Sequence, residues 1–111
     1  MRRALDDARR RGRVGRSGPV SVRFDGAGTA HRFAFAIGRR VGPAVVRNRV
    51  RRRMRAVVAE AGRDLPVGTY LFSAGPEIVG LSFEEMRNAM KAALERATGP
   101  MATPVAGGDR R

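Results

Sequence analysis

One stretch carries the densest chemical signal in this sequence. VVRNRVRRRMR, from Val45 to Arg55, holds six arginines in eleven residues and no acid. Guanidinium groups bind phosphate through a planar fork of N–H donors and also stack on nucleobases. A row of like charges destabilises a compact domain unless an anionic partner relieves the repulsion. The side chains therefore indicate a phosphate-rich partner and favour nucleic acid over a generic anionic surface.

The charge of the whole chain points the same way. The 111 residues carry a net charge of +13, and 22 of the 23 basic residues are arginine. Between Asp25 and Glu60 the sequence has nine arginines and no acid. A solvated surface normally intersperses both signs. We therefore interpret the charge as a binding property rather than a means of staying soluble.

Composition excludes several other classes of protein. The chain has no cysteine, which excludes disulfides and thiolate metal sites and suits the reducing cytoplasm in which we expect the protein. No apolar run approaches the roughly 20 residues of a membrane-spanning helix, and the first residues lack the apolar region of a secretory signal. The length predicts a single domain, placed over residues 1–98, with a Gly- and Pro-rich disordered tail over 99–111.

The candidates for catalysis by the polypeptide are weak. His31 is the only histidine and lies in a glycine-rich turn. Glu85 is better explained as a helix-capping partner, and the adjacent pair Asp6 and Asp7 as helix-start residues, than as acid or metal-binding groups. No phosphate-binding loop motif and no metal-ligand cluster occurs. We therefore expect no catalytic residue and no metal ligand in this chain.

A single helix is expected to position the arginines. Gly42-Pro43 is a helix entrance, the helix runs from Pro43 to about Ala61, and Gly62 is its expected stop. On a helical wheel the apolar residues fall within one narrow arc, which must face the core. The arc contains Val46, Val50, Met54, Val57 and Ala61. Opposite lie Asn48, Arg52 and Arg55, with Arg49 and Arg51 on the shoulders and Arg47 and Arg53 nearest the buried edge.

The remaining pattern predicts a small α+β fold. A short helix is expected over residues 1–11, residues 12–19 break it, and strands 20–25 and 32–39 are expected to pair as antiparallel neighbours. Strand 69–74 is apolar on both faces and should lie inside the sheet. Ser82 and Glu85 have the spacing of a capping box, which starts a helix that continues to about Thr98. The predicted architecture is a two-layer sandwich of helices on a mostly antiparallel sheet.

The basic helix has three other interpretations. A helix lying on an anionic membrane normally carries Leu, Trp or Phe anchors, which are missing here. A DNA recognition helix would need a preceding helix close by, and none is predicted. A structural RNA-binding protein of the ribosomal type remains an alternative, because it would use the same arginines.

The stretch GRRVGPAVVRNRVRRRMR, Gly38 to Arg55, resembles the signature of the bacterial ribonuclease P protein component. That pattern is a basic pair, an aliphatic residue, Gly, then Ala-Val and an Arg-Asn-Arg triplet followed by further basic residues. The resemblance covers about residues 5–97. The matching positions are Arg39, Arg40, Val41, Gly42, Ala44, Val45, Arg47, Asn48, Arg49, Arg51, Arg52 and Arg55.

The resemblance implies a function and partners. Proteins of this family assist a catalytic RNA, with its bound Mg²⁺, in removing the 5′ leader of precursor tRNA. The implied partners are the ribonuclease P RNA subunit and precursor tRNA, with no membrane and no small-molecule cofactor. The implied fold is an α-β sandwich with a left-handed βαβ crossover around the basic helix.

The resemblance also implies roles for particular residues. Arg47, Asn48, Arg49 and Arg52 correspond to positions that meet the RNA subunit. Arg51 and Arg55 correspond to positions on the side of the leader cleft. Arg39 and Arg40 extend the positive surface at the helix entrance.

The chain departs from the family pattern at the expected leader cleft. Members carry aromatic residues on a first helix and on the next strand, and these residues stack on the leader. Here the corresponding residues are Leu5 and Arg9 on the helix, and Arg23, or Phe24 if the alignment shifts by one, on the strand. Only three strands are clear in the sequence, where the family has a fourth, short one.

Overall fold

The computed structural model describes residues 12–61 and 64–99 of the chain. They form one four-stranded sheet with two α-helices packed on one of its faces, which confirms the predicted α+β sandwich. The helix expected over 1–11, the stop at Gly62 and the tail after Gly99 lie outside the described residues. In chain order the elements are β1 (Arg13–Ser17), β2 (Val20–Asp25), β3 (His31–Ala36), α1 (Ala44–Ala61), β4 (Gly68–Ala74) and α2 (Phe83–Thr98).

The sheet has the strand order β1-β2-β4-β3. Strand β2 is antiparallel to both of its neighbours, β1 and β4, whereas β3 runs parallel to β4. The prediction that 20–25 and 32–39 pair with each other was wrong, because β4 lies between them. Alternation identifies which side chains face the core but does not choose a pairing partner. The interior position of the doubly apolar β4 is confirmed, and the basic helix forms the expected βαβ connection. The hand of that connection stays an expectation from the resemblance.

Strand β1 was not predicted, because residues 12–19 were interpreted as a break. Two glycines weaken the strand pattern of these residues in the sequence. Gly18 lies in the tight turn to β2 with φ +56°, a conformation that favours glycine. Gly15 lies inside the strand, where α2 packs so closely that a Cβ would meet the backbone at Ala93 and Ala97. The glycine that weakens the strand signal in the sequence is therefore required for helix-on-sheet packing.

One apolar core joins the sheet to both helices. Alternate residues of β2 and β4 point into it and meet side chains from α1 and α2. Tyr70 is completely buried, its hydroxyl donates to the Pro66 carbonyl oxygen at 2.5 Å, and burial raises its pKa to about 12. The largest buried side chains are Val20, Val22, Met54, Val57, Tyr70, Phe72, Ile78, Met86 and Met90.

Helix α2 begins as the sequence predicted. The Ser82 hydroxyl accepts from the Glu85 backbone N–H at 3.0 Å, and the Glu85 carboxylate accepts from the Ser82 N–H at 2.8 Å. This reciprocal capping box satisfies two N–H groups that have no partner within the helix. Because α2 is fixed at its start, its buried residues Met86, Met90 and Leu94 reach the sheet in register.

The close approach at Gly15 yields a testable prediction. Gly15→Ala places a methyl group 2.7 Å from the Ala97 backbone nitrogen, so it should lower the free energy of unfolding by about 1–3 kcal/mol through overpacking. Urea denaturation measures the change. Gly38→Ala is the matched control, since Gly38 has φ −81° and a Cβ there meets nothing within 4 Å. Equal stability of the two variants would contradict the packing assigned to β1 and α2.

Candidate nucleic-acid interface

Helix α1 has one buried face and one charged face. Val50, Met54, Val57 and Val58 are buried and fix the helix against the core. The predicted stripe was correct at its centre, but Val46 and Ala61 are only half-buried. Val58 was missed because its position on the wheel lies just outside the narrow arc. The burial orients the opposite face of the helix away from the sheet.

The charged face has the exposure that the wheel predicted. Asn48, Arg49, Arg52 and Arg55 are exposed. The half-buried arginines are Arg47, Arg51 and Arg53, which lie between the two faces. Their aliphatic stems cover apolar surface while the guanidinium groups reach the edge. The helix thus presents a cationic surface along its exposed side.

The connection from β3 to α1 extends this surface. A short 3-10 turn, Arg39–Val41, leads into the helix, and the buried side chain of Val41 anchors it. Arg39 and Arg40 are exposed beside it. Gly42 follows with φ +148°, a conformation that side chains rarely adopt, and its carbonyl oxygen faces the helix. The continuous cationic surface over Arg39 to Arg55 is called the arginine surface below.

Contacts within the arginine surface are made to neutral groups. Arg47 Nε donates to the Gly42 carbonyl oxygen at 3.1 Å. Arg51 donates to the Asn48 side-chain oxygen at 2.9 Å and to the Ile37 carbonyl oxygen at 3.4 Å. The Arg55 guanidinium lies 5.6 Å from the centre of the Phe35 ring. These contacts orient the guanidinium groups without neutralising them.

Acids of the described chain leave the arginine surface unpaired. The ion pair found within residues 12–61 and 64–99 joins Arg87 to Glu60 at 3.6 Å and involves no residue of the arginine surface. Six formal charges between Arg47 and Arg55 therefore remain without a carboxylate partner there. A field of one sign at close range attracts a polyanion and raises its rate of association.

The opposite face of the sheet forms a second polar surface. The strand register places two rows of side chains across it: Val14, Arg23, Leu71 and Ala34 in one, and Arg16, Ser21, Ser73 and Ala36 in the other. The Ser21 and Ser73 hydroxyls are 2.7 Å apart and hydrogen-bonded. Several of these residues line one shallow cavity. Neither of these rows holds an acid, and the third row of the register, Arg32, Thr69 and Asp25, adds one arginine and one acid, so this open sheet face carries a net positive charge.

The structure separates the two strand candidates for the leader cleft. Arg23 lies on the open sheet face and lines its cavity. Phe24 turns to the other side and packs against Tyr70, with ring centres 4.7 Å apart. Of the pair, Arg23 alone is placed to meet a ligand on this face. Leu5 and Arg9 lie outside the described residues.

Sequence reasoning missed Arg16 and Phe35. Arg16 was overlooked because β1 was interpreted as a break, although Val14 and Arg16 alternate with Gly15 as strand residues do. Phe35 gives no binding signal in the sequence, where it is one apolar residue of the strand predicted over 32–39. Its half-buried ring lies under Arg55, a contact between elements that a local pattern cannot indicate.

Other chemistry has little support in the part of the chain that the structure describes. No group of three or more His, Asp or Glu residues there could hold a metal ion. His31, at the exposed start of β3, donates from Nε2 to the Leu65 carbonyl oxygen at 2.8 Å. Among those residues, no helix combines the length and the apolar character needed to cross a bilayer.

The fold and its surfaces define a class: a small α+β protein whose central helix is built as an unneutralised cationic face. Comparison with known proteins specifies it further. The family model described as Ribonuclease P matches residues 2–98. This chain belongs to the ribonuclease P protein family.

Individual relatives in sequence are ribonuclease P protein components. The chain is 35% identical over 103 residues to the ribonuclease P protein component of Thermobifida fusca, covering 87% of this chain and 70% of the relative. It is 37% identical over 65 residues to that of Nitratiruptor sp., covering 59% of this chain and 60% of the relative.

Solved structures support the fold. The RNase P protein of Thermotoga maritima superposes with a TM-score of 0.78 at 20% identity, covering 88% of this chain and 94% of that one. The RNase P protein of Staphylococcus aureus gives a TM-score of 0.78 at 14% identity, over 87% and 91% of the two chains. The described sheet and helices therefore have the architecture of bacterial RNase P proteins.

The unpaired charge of the arginine surface predicts stabilisation by polyanions. Inorganic tripolyphosphate at about 100-fold above its Kd should stabilise the native state by about 2.7 kcal/mol, raising Tm on the order of 10 °C. Differential scanning calorimetry measures Tm, with sodium chloride of equal ionic strength as the control. The double variant Arg49→Ala/Arg52→Ala should show a smaller gain. An equal gain from both salts would mean that general screening, and not binding, relieves the repulsion.

Proposed function

We propose that this protein is the protein subunit of ribonuclease P and acts in the cytoplasm. In this role it assists a catalytic RNA in the endonucleolytic removal of the 5′ leader from precursor tRNA. The observation that carries the proposal is the arginine surface, which holds the signature residues of the family on one exposed, acid-free face. Family membership supports a ribonuclease P RNA as the proposed partner.

The arginine surface is the proposed contact with the RNA subunit. Side chains three or four residues apart on a helix are about 5–6 Å apart, a spacing comparable to that of phosphates along an RNA strand. Arg49, Arg52 and Asn48 lie on the most exposed part of α1. Arg39 and Arg40 continue the same surface beyond the helix start. An RNA strand following the helix would thus meet cationic groups along its whole length.

The open sheet face is the proposed site for the leader. Arg23 and Arg16 flank the small side chains of Ser21, Ser73 and Ala34, with Val14 and Leu71 in the same row as Arg23, and an extended single strand would lie across this surface. The aromatic that the family places on this strand is replaced by Arg23, because Phe24 packs inward. This face would therefore hold leader phosphates rather than stack on its bases.

The chemical step is assigned to the RNA partner. Mg²⁺ favours oxygen ligands, which RNA phosphates supply in abundance, whereas the described part of this chain has no acidic cluster. The protein's own residues would bind and orient the two RNAs. Cationic side chains also lower the repulsion between them, so the assembly should need less Mg²⁺.

Reconstitution tests the proposed function. The chain is mixed with a bacterial ribonuclease P RNA at low Mg²⁺, and leader release from precursor tRNA is followed. Cleavage should accelerate, and precursor should bind more tightly than mature tRNA. Protein without RNA serves as the control and should be inactive. Absence of any gain in cleavage, with equal binding of precursor and mature tRNA, would favour a structural RNA-binding role instead.

Arg23→Ala tests the leader site. The variant should reduce the preference for precursor over mature tRNA and lower the slope of log affinity against log salt by about 0.7, the value for one phosphate contact on a single strand. Lys91→Ala is the charge-matched control, since Lys91 is exposed on α2 and is part of neither the arginine surface nor the open sheet face. Loss of affinity for both tRNAs alike would show that Arg23 does not contact the leader.

A further inference from the structure

The arginines of α1 differ in how they are held. Arg47, Arg51 and Arg55 each contact a neutral group of this chain. Arg49 and Arg52 are exposed and make no hydrogen bond or ion pair among the described residues. The first three are called the anchored arginines. The helix therefore combines anchored cations on its β3 side with exposed, unanchored ones on its outer side.

Arg51 is the most completely oriented of them. One terminal nitrogen donates to the Asn48 side-chain oxygen at 2.9 Å, and the other to the Ile37 carbonyl oxygen at 3.4 Å. Two acceptors on different nitrogens fix the plane of the guanidinium fork. The group has five N–H donors, so three remain for a ligand. Because both acceptors are neutral, the full positive charge also remains.

The same contact uses the side-chain oxygen of Asn48. The sequence placed it at the centre of the charged face, where its amide could bond a ribose hydroxyl or a base edge. In the structure its oxygen is occupied by Arg51, one helical turn further along. One lone pair of that oxygen and both amide N–H donors stay available at the surface. Because Arg51 already uses part of the acceptor capacity, this arrangement favours holding a neighbour over reading an RNA base, which uses donor and acceptor together.

We propose that Asn48 is a positioning residue, which holds the Arg51 guanidinium in the orientation that receives a phosphate of the RNA subunit. This proposal places Arg51 at the RNA subunit, whereas the resemblance alone placed it on the side of the leader cleft. The proposal rests on the proposed function and specifies how its interface works. Asn48 contributes to RNA affinity through Arg51. A side chain already held in its bound orientation loses little conformational freedom when the ligand arrives, and this raises affinity without a new contact.

The other anchored arginines extend the effect to the β3–α1 connection. Arg51 ties the helix to Ile37 at the end of β3, and Arg47 ties it to Gly42 at the end of the 3-10 turn. The segment between these two carbonyls carries Arg39 and Arg40. The same hydrogen bonds therefore hold the turn and the helix as one surface. Arg49 and Arg52 add exposed, unanchored charges to it.

A double-mutant cycle tests the proposal. Asn48→Ala, Arg51→Ala and the double variant are titrated with a bacterial ribonuclease P RNA over a range of salt. Asn48→Ala alone should weaken affinity about two- to tenfold, the range expected when one mobile side chain must be ordered on binding. Its salt slope should stay that of the wild type, whereas Arg51→Ala should lower the slope by about 0.7–0.9. In the Arg51→Ala background, Asn48→Ala should cost nothing further.

Two controls separate positioning from folding. Alanine has a higher helix propensity than asparagine, so Asn48→Ala should melt no lower than the wild type. Side-chain nitrogen NMR provides the second measurement. The Arg51 guanidinium should show slowed rotation that Asn48→Ala abolishes, while Arg52 should show averaged signals in both proteins.

Three results distinguish failure of this inference from failure of the proposed function. An equal loss from Asn48→Ala in both backgrounds would mean that Asn48 contacts RNA directly, and no loss in either would mean that it is idle. Both results overturn the inference and leave the proposed function standing. A wild-type chain that fails to bind the RNA would overturn the proposed function and the inference with it.

Discussion

The structure depends on a balance between like-charge repulsion and burial in one helix. Three pairs of arginines, Arg47–Arg51, Arg49–Arg53 and Arg51–Arg55, stand four residues apart on α1, and each such pair costs about 0.2–0.5 kcal/mol. Each large apolar side chain buried on the opposite face contributes about 1.5–3 kcal/mol. Val50, Met54 and Val57 therefore outweigh the repulsion and hold the charges in place. Apolar burial offsets the repulsion among the arginines, so the helix is stable although its cationic face has no acid.

The way in which the charges are held connects fold to function. Backbone carbonyls at Ile37 and Gly42, the Asn48 amide and the Phe35 ring orient three guanidinium groups and leave their charge intact. A carboxylate in the same places would orient them equally well but would cancel the field. The sequence has no acid between Asp25 and Glu60, and in the structure neutral groups take the positions where a carboxylate would cancel the charge. In the proposed function, these oriented cations would meet an RNA that supplies the missing negative charge.

The two faces of the sheet differ in what they contact. One face carries both helices and the aromatic core, and Phe24 joins it by packing on Tyr70. The other face exposes Arg16 and Arg23 above the Ser21–Ser73 pair. Strand alternation predicted that Arg23 and Phe24 face opposite ways. Which of them meets a ligand depends on which face the helices cover, and that is a property of the assembled sheet.

Local pattern determined α1, α2 and three of the four strands of this protein, together with their faces. The 3.6-residue periodicity of α1, the Ser82–Glu85 cap and the apolar β4 were all predictable, because each depends on neighbours within a few residues. The family signature also identified the arginines without any structure. Tertiary structure alone decided that β4 separates β2 from β3, that Gly15 belongs to a strand, and that Arg51 and Arg55 contact β3 and the residue that follows it. These features depend on contacts between residues far apart in sequence, and such contacts form only when the whole core packs.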